Sequence, residues 1–254
     1  MKHLRHYILL ILLAPFMLNA WSAEKLSDYE KGVQYYFGED GVEQDYKKAA
    51  EYLEPAAIKG NVDAQYYIAY IYDLGYLGEP DYTKAMFWYQ KAAAQNDAAA
   101  KNNIGYLYQN GLGVEKNDAE AFKWYIKAAE QDYDTAQSNL AYYYRDGIAT
   151  KKNYKEAIYW YFRAADQGHA KSQNNIGYMY EKGMGLAKDY NKAFDWYMKA
   201  AEQGHVIATA NVAYYYQQGW AVDKDCDKAK EYYEFAAEEG DEFSVEQLED
   251  WSCE

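Results

Sequence analysis

Trp88, Trp124, Trp160 and Trp196 stand 36 residues apart, and Tyr52 and Tyr232 extend the same step on either side. A fixed period of this length constrains the fold more than any other feature, because each unit must be one supersecondary element that stacks on its copies. Paired alanines keep the register at 56/57, 92/93, 128/129, 164/165, 200/201 and 236/237, as do Tyr36, Tyr72, Tyr108, Tyr144, Tyr180 and Tyr216. The stretch Asn102–Val114, NNIGYLYQNGLGV, returns 72 residues later as Asn174–Leu186, NNIGYMYEKGMGL.

Within a unit, Ile104, Leu107 and Tyr108 recur at helical spacing, while Phe122, Tyr125, Ile126 and Ala129 form a second stripe at i, i+3, i+4, i+7. Each unit is therefore expected to be two amphipathic helices, in six copies over about 28–63, 64–99, 100–135, 136–171, 172–207 and 208–243. One such hairpin cannot bury both stripes, but a stack of them can, so the chain reads as an all-α solenoid. Gly111, Gly147 and Gly183 are placed to end the first helix in a left-handed conformation. The second turn carries Gly168, Gly204 and Gly240, with Asn96 and Asp132 as the substitutes that best tolerate positive φ. Ala69, Gly105, Ala141, Gly177 and Ala213 let helices approach closely, with the 32 tyrosines and 7 tryptophans available to fill the space around them.

The pattern Ala-x-x-x-Leu/Ile-Gly/Ala-x-x-Tyr, then Gly-x-Gly, then Lys/Glu-Ala-x-x-Trp-Tyr-x-Lys-Ala-Ala is fullest in Ala100–Ala129. From about Asp28 to Phe243 it resembles the Sel1-like repeat family, relatives of tetratricopeptide repeats. The resemblance implies a right-handed solenoid whose first helices line a concave face, and a role in binding proteins or peptides. The ends depart from the pattern. Gln34 replaces the tyrosine of later units, and Pro55 is expected to kink or shorten its helix. Cys226 stands where Tyr46, Tyr82, Tyr154 and Tyr190 stand, and residues 244–254 read as a cap with a short helix over Ser244–Asp250.

Lys2 and Arg5, an apolar run over Tyr7–Leu18 and a small-residue site at Ala20 read as a signal peptide over 1–20, with Ala23 as an alternative cleavage point. The run is shorter than a bilayer requires and holds Pro15, so removal is expected rather than anchoring. Removal takes the formal net charge from −14 to −16, which excludes nucleic acid as a natural partner. The reading is a periplasmic or secreted protein with no membrane anchor after signal removal, in which an oxidising compartment joins Cys226 to Cys253.

No nucleophile–base signature is present, and the Gly-x-Gly turns lack the Gly-Lys-Ser/Thr ending of a phosphate loop. His169 and His205, one repeat apart, read as solvated turn residues rather than metal ligands. No cofactor, metal or catalytic residue is expected. A cysteine-rich branch of the family that binds or hydrolyses β-lactams supplies the alternative function, but it places a cysteine pair in each repeat and this chain has one pair.

On the first helices Asn103, Asn139, Asn175 and Asn211 share one register, and Tyr106, Tyr142, Tyr178 and Tyr214 follow three residues on, on the same face. Such a ladder can hydrogen-bond an extended peptide, or it can bond the stack itself. The resemblance adds Lys171, one turn before Asn175, as a peptide contact. The expected partner is a protein or peptide, a host factor being one candidate, with Asp73, Arg145, Asp146, Glu181 and Lys182 varying from unit to unit.

Overall fold

The computed structural model describes residues 26–253, so the segment 1–20 read as a signal lies outside them. In chain order the helices are α1 (Asp28–Phe37), α2 (Tyr46–Ile58), α3 (Val62–Asp73), α4 (Tyr82–Ala94), α5 (Ala98–Asn110), α6 (Asp118–Ala129), α7 (Asp134–Asp146), α8 (Tyr154–Asp166), α9 (Ala170–Lys182), α10 (Tyr190–Ala201), α11 (Val206–Gln218), α12 (Cys226–Glu238) and α13 (Glu242–Glu249). Odd-numbered helices are the first of each pair and even-numbered helices the second. Each packs chiefly on its sequence neighbours, which makes the chain an all-α solenoid.

Local chemistry sets the boundaries. Gly111, Gly147, Gly183 and Gly219 end α5, α7, α9 and α11 at φ of 70, 75, 70 and 69°. Asn96 and Asp132 hold positive φ of 75 and 61° in the turns that begin the next pair. Asp45, Asp81, Asn117, Asn153, Asp189 and Asp225 each accept a backbone N–H to start the six even helices. Pro55 does not shorten α2, which runs 13 residues like α4. The proline falls in the last turn, where its missing N–H removes one ladder bond.

The tryptophans that reveal the period are not the deepest rings. Trp124, Trp160 and Trp196 are half-buried, and the ammonium groups of Lys127 and Lys199 sit 4.0 and 4.1 Å from the ring centroids of Trp124 and Trp196. The next residue is the core anchor: Tyr89, Tyr125, Tyr161, Tyr197 and Tyr233 are each 0% exposed. Buried glutamines tie successive pairs together. Gln65, Gln137 and Gln173 accept from Gln95, Gln167 and Gln203 at 2.8, 2.9 and 2.7 Å, each across 30 residues of sequence.

His169 and His205 are half-buried N-caps rather than solvated turn residues. Neutral Nδ1 of each accepts a backbone N–H, from Ser172 and Ala208, both at 3.2 Å. Burial lowers both imidazole pKa values, with Lys171 opposing their protonation and Asp134 partly offsetting this at His169. Their stability contribution is therefore whole above the unfolded imidazole pKa of about 6.5. It is lost as pH falls from there toward the folded value. His169→Asn with His205→Asn keeps the acceptor and removes the titration. We expect the wild-type protein to lose stability between about pH 7 and 5 in urea melts, and the double variant to lose measurably less.

Candidate functional site

A buried phenol needs a hydrogen-bond partner, and four of the five core tyrosines find one 16 residues earlier, on the first helix of the same unit. Tyr89 donates to Asp73 Oδ2 at 2.9 Å, Tyr125 to Gln109 Oε1 at 2.6 Å, Tyr197 to Glu181 Oε2 at 2.9 Å and Tyr233 to Gln217 Oε1 at 3.0 Å. In the fourth unit the position holds Arg145, which has no acceptor, and the Tyr161 hydroxyl is left without a partner.

A second series behaves in the same way. Asn139 Nδ2 donates to Asn102 Oδ1 and Asn211 Nδ2 to Asn174 Oδ1, both at 3.0 Å, so each pair bridges neighbouring odd helices. The doubled asparagine, recurring at 72 rather than 36 residues, thus coincides with a bridge at every second interval. Between the two bridges, the position of Asn102 and Asn174 holds Ser138. Its hydroxyl is buried and without a partner. Asn175, facing this interval, accepts instead from Arg145 Nη1 at 3.1 Å.

Both exceptions fall between α7 and α9, where a cavity of about 300 Å³ opens. It is lined by Gln109 of α5 together with Ser138, Asn139, Tyr142, Arg145, Lys171 and Asn175. Four residues expected from sequence to bind a partner, Asn139, Tyr142, Lys171 and Asn175, thus share one cavity. The ring of Tyr178 lies 6.0 Å from the Arg145 guanidinium. Asn103 and Tyr106 line a separate cavity of about 250 Å³ with Tyr70 and Asp73, and Asn103 Nδ2 donates to the Tyr89 hydroxyl at 2.9 Å. Asn211 and Tyr214 join neither cavity. Tyr214 packs on Trp220 and Phe243, with centroids 5.2 and 6.5 Å away.

Arg145 lines this cavity but was not part of the ladder, although its position varies visibly in sequence. The signal was the register Asp73, Gln109, Arg145, Glu181, Gln217, in which one member alone cannot accept a hydrogen bond. Arg145 also forks onto Asp146, Nε to Oδ1 at 2.8 Å and Nη2 to Oδ2 at 2.9 Å. Among the described residues no group of three or more His, Cys, Asp or Glu is arranged to hold a metal ion.

The Sel1 repeat model matches six consecutive segments, 26–61, 62–97, 98–133, 134–169, 170–205 and 206–241. The chain belongs to the Sel1 repeat family. Among solved structures, a Sel1 repeat protein from Oxalobacter formigenes is 36% identical with a TM-score of 0.78, over 87% of this chain and 86% of that one. A protective antigen of uropathogenic Escherichia coli strains, displaying an SLR fold, is 32% identical with a TM-score of 0.74. The match covers 85% of this chain and 46% of that protein, so this Sel1 chain spans about half its length. An immunity protein from Pseudomonas aeruginosa, 21% identical with a TM-score of 0.56, shares the fold. No curated protein matches the chain. Sel1 repeat proteins generally act as protein-interaction scaffolds and are typically non-catalytic.

Proposed function

We propose that this chain is an exported bacterial scaffold that binds a protein or peptide partner along the concave face formed by its odd-numbered helices, without covalent chemistry. The observation that carries the reading is the run of cavities between those helices, lined by asparagine and tyrosine on a rigid repeat frame. Rigid tyrosines offer contact area at small entropic cost, and asparagine amides bond a backbone whatever its sequence. The basic, apolar leader and the Cys226–Cys253 disulfide support export to the periplasm or beyond. Among the described residues no helix is long and apolar enough to cross a membrane.

The test is crosslinking in the native envelope followed by affinity capture. Asn139→Ala with Asn175→Ala is expected to reduce recovery of the crosslinked partner at least about tenfold, the loss of one or two charge-assisted or amide hydrogen bonds, while helical circular dichroism stays unchanged. Unchanged recovery would remove the groove from the account. Purified protein should neither retain nor turn over a fluorescent penicillin; labelling would favour the β-lactam alternative.

A further inference from the structure

On the even-numbered helices, the third residue after the period-marking ring is a cation in three successive units. The Lys127 ammonium lies 4.0 Å from the Trp124 centroid, the Arg163 guanidinium 5.4 Å from Trp160 and the Lys199 ammonium 4.1 Å from Trp196. In the sixth unit the ring is Tyr232, and the position of the cation holds Phe235, 47% exposed. A second series breaks at the same place. Gln65, Gln137 and Gln173 donate to the carbonyls of Ala57, Ala129 and Ala165 at 3.0, 3.4 and 3.4 Å. One period after Gln173 stands Thr209, too short for that reach, and its hydroxyl donates to the His205 carbonyl at 3.2 Å. The Ala201 carbonyl, one period after that of Ala165, keeps the backbone N–H of Gly204 at 2.8 Å and takes no side-chain donor among the described residues.

Where both series break, a cavity of about 210 Å³ opens, lined by Ala201, Thr209, Glu231, Tyr232 and Phe235. One departure removes a cation and the other an amide donor, so what remains can only accept: a carbonyl with a lone pair to spare, a carboxylate and two aromatic rings. The charged groups acting on Tyr232 are Glu231, Glu202 and Lys228. Lys228 pairs with Asp225 at 3.5 Å, which leaves the balance negative. We infer that this cavity binds a primary alkylammonium group. The Glu231 carboxylate and the Ala201 carbonyl accept its N–H groups, and Tyr232 and Phe235 meet its charge and its methylenes. An anion would find no donor, and a quaternary ammonium would leave the carbonyl unbonded. The inference goes beyond the groove reading and is independent of it, because none of these residues belongs to the asparagine and tyrosine ladder of the odd-numbered helices.

The chain has four threonines, Thr83, Thr135, Thr150 and Thr209. Each gives one methyl resonance in threonine-labelled protein, so Thr209 reports on the cavity and the other three are internal controls. Exchange of sodium chloride for n-butylammonium chloride at constant ionic strength is expected to move the Thr209 methyl saturably and leave the others in place. Tetramethylammonium chloride, which carries the charge without an N–H, should bind at least about tenfold more weakly. Phe235→Lys gives the sixth unit the cation that Lys199 gives the fifth, and should weaken n-butylammonium at least about tenfold, with helical circular dichroism unchanged. Glu231→Gln should weaken it about threefold, the smaller effect of an exposed and screened charge.

Equal movement of all four methyls, affinity indifferent to either substitution, or tetramethylammonium binding as tightly as n-butylammonium overturns the proposal. N-acetyl-lysine-N-methylamide, set against n-butylammonium, separates the two sources of such a group. Comparable affinity points to a lysine side chain on a partner protein, and a weaker response to the lysine derivative points to a free amine; binding of either supports the site.

Discussion

Gly177→Leu is expected to destabilise the solenoid by about 3 kcal/mol or more, the upper range for overpacking a filled core. A Cβ at this position would lie 2.7 Å from Cδ1 and 2.8 Å from Cε1 of Tyr197, and 3.1 Å from the Ala193 carbonyl oxygen. The ring cannot retreat, because Tyr197 is 0% exposed and its hydroxyl is fixed on Glu181. The carbonyl belongs to the α10 backbone, so relief requires α9 and α10 to separate. Gly177→Ala sharpens the test. Alanine favours a helix over glycine by about 1 kcal/mol, so a net loss in the alanine variant would show that contact outweighs propensity. Urea melts followed by far-ultraviolet circular dichroism measure both; a leucine variant as stable as the wild type would show that the α9–α10 contact is not close-packed.

The same contact shows what a sequence reveals and what it conceals. The period, the paired helices and the glycine ends are properties of a few neighbouring residues, so spacing and turn chemistry suffice to place them. Which of two adjacent rings is buried is harder, since Trp196 and Tyr197 differ by one step on α10. The tyrosine lies inward, its hydroxyl donating to Glu181 on α9, while the half-buried indole lies beneath Lys199.

The site was legible in part for a similar reason. Asn139 and Asn175 were visible in one register of successive first helices, with Tyr142 three residues on from Asn139, and the family resemblance added Lys171. The cavity they share depends on what neighbouring units lack. Ser138 is too short to repeat the bridge that Asn102 and Asn174 make, and Arg145 cannot receive the Tyr161 proton. A repeat makes such departures informative, because each unit supplies the expectation against which the next is judged. The asparagine ladder also proves uneven: Asn103 serves Tyr89, Asn139 and Asn211 serve the stack, and Asn175 serves Arg145.

Breaking the Cys226–Cys253 disulfide is expected to release the C-terminal end of the stack at a local cost of about 3.5 kcal/mol, the chain-entropy value for a loop of this size. The bond joins the first residue of α12 to the tail beyond α13, across 27 residues, with 5.6 Å between Cα atoms. A terminal unit has one neighbour where an inner unit has two, so it frays first. α13 is eight residues long, with Phe243 and Val245 45% and 41% exposed, and has no following helix among the described residues to cover them. Beyond the disulfide, Trp251 holds the tail through an edge contact with Tyr233, its centroid 6.2 Å away. Cys253→Ser should therefore raise amide exchange throughout 242–253 and shift Trp251 emission to the red, while exchange in α5 to α9 is unaltered. Unaltered exchange in α13 would show that packing alone secures the end. The native oxidation state bears on export as well: both thiols free in protein taken from its own cells would contradict an oxidising destination.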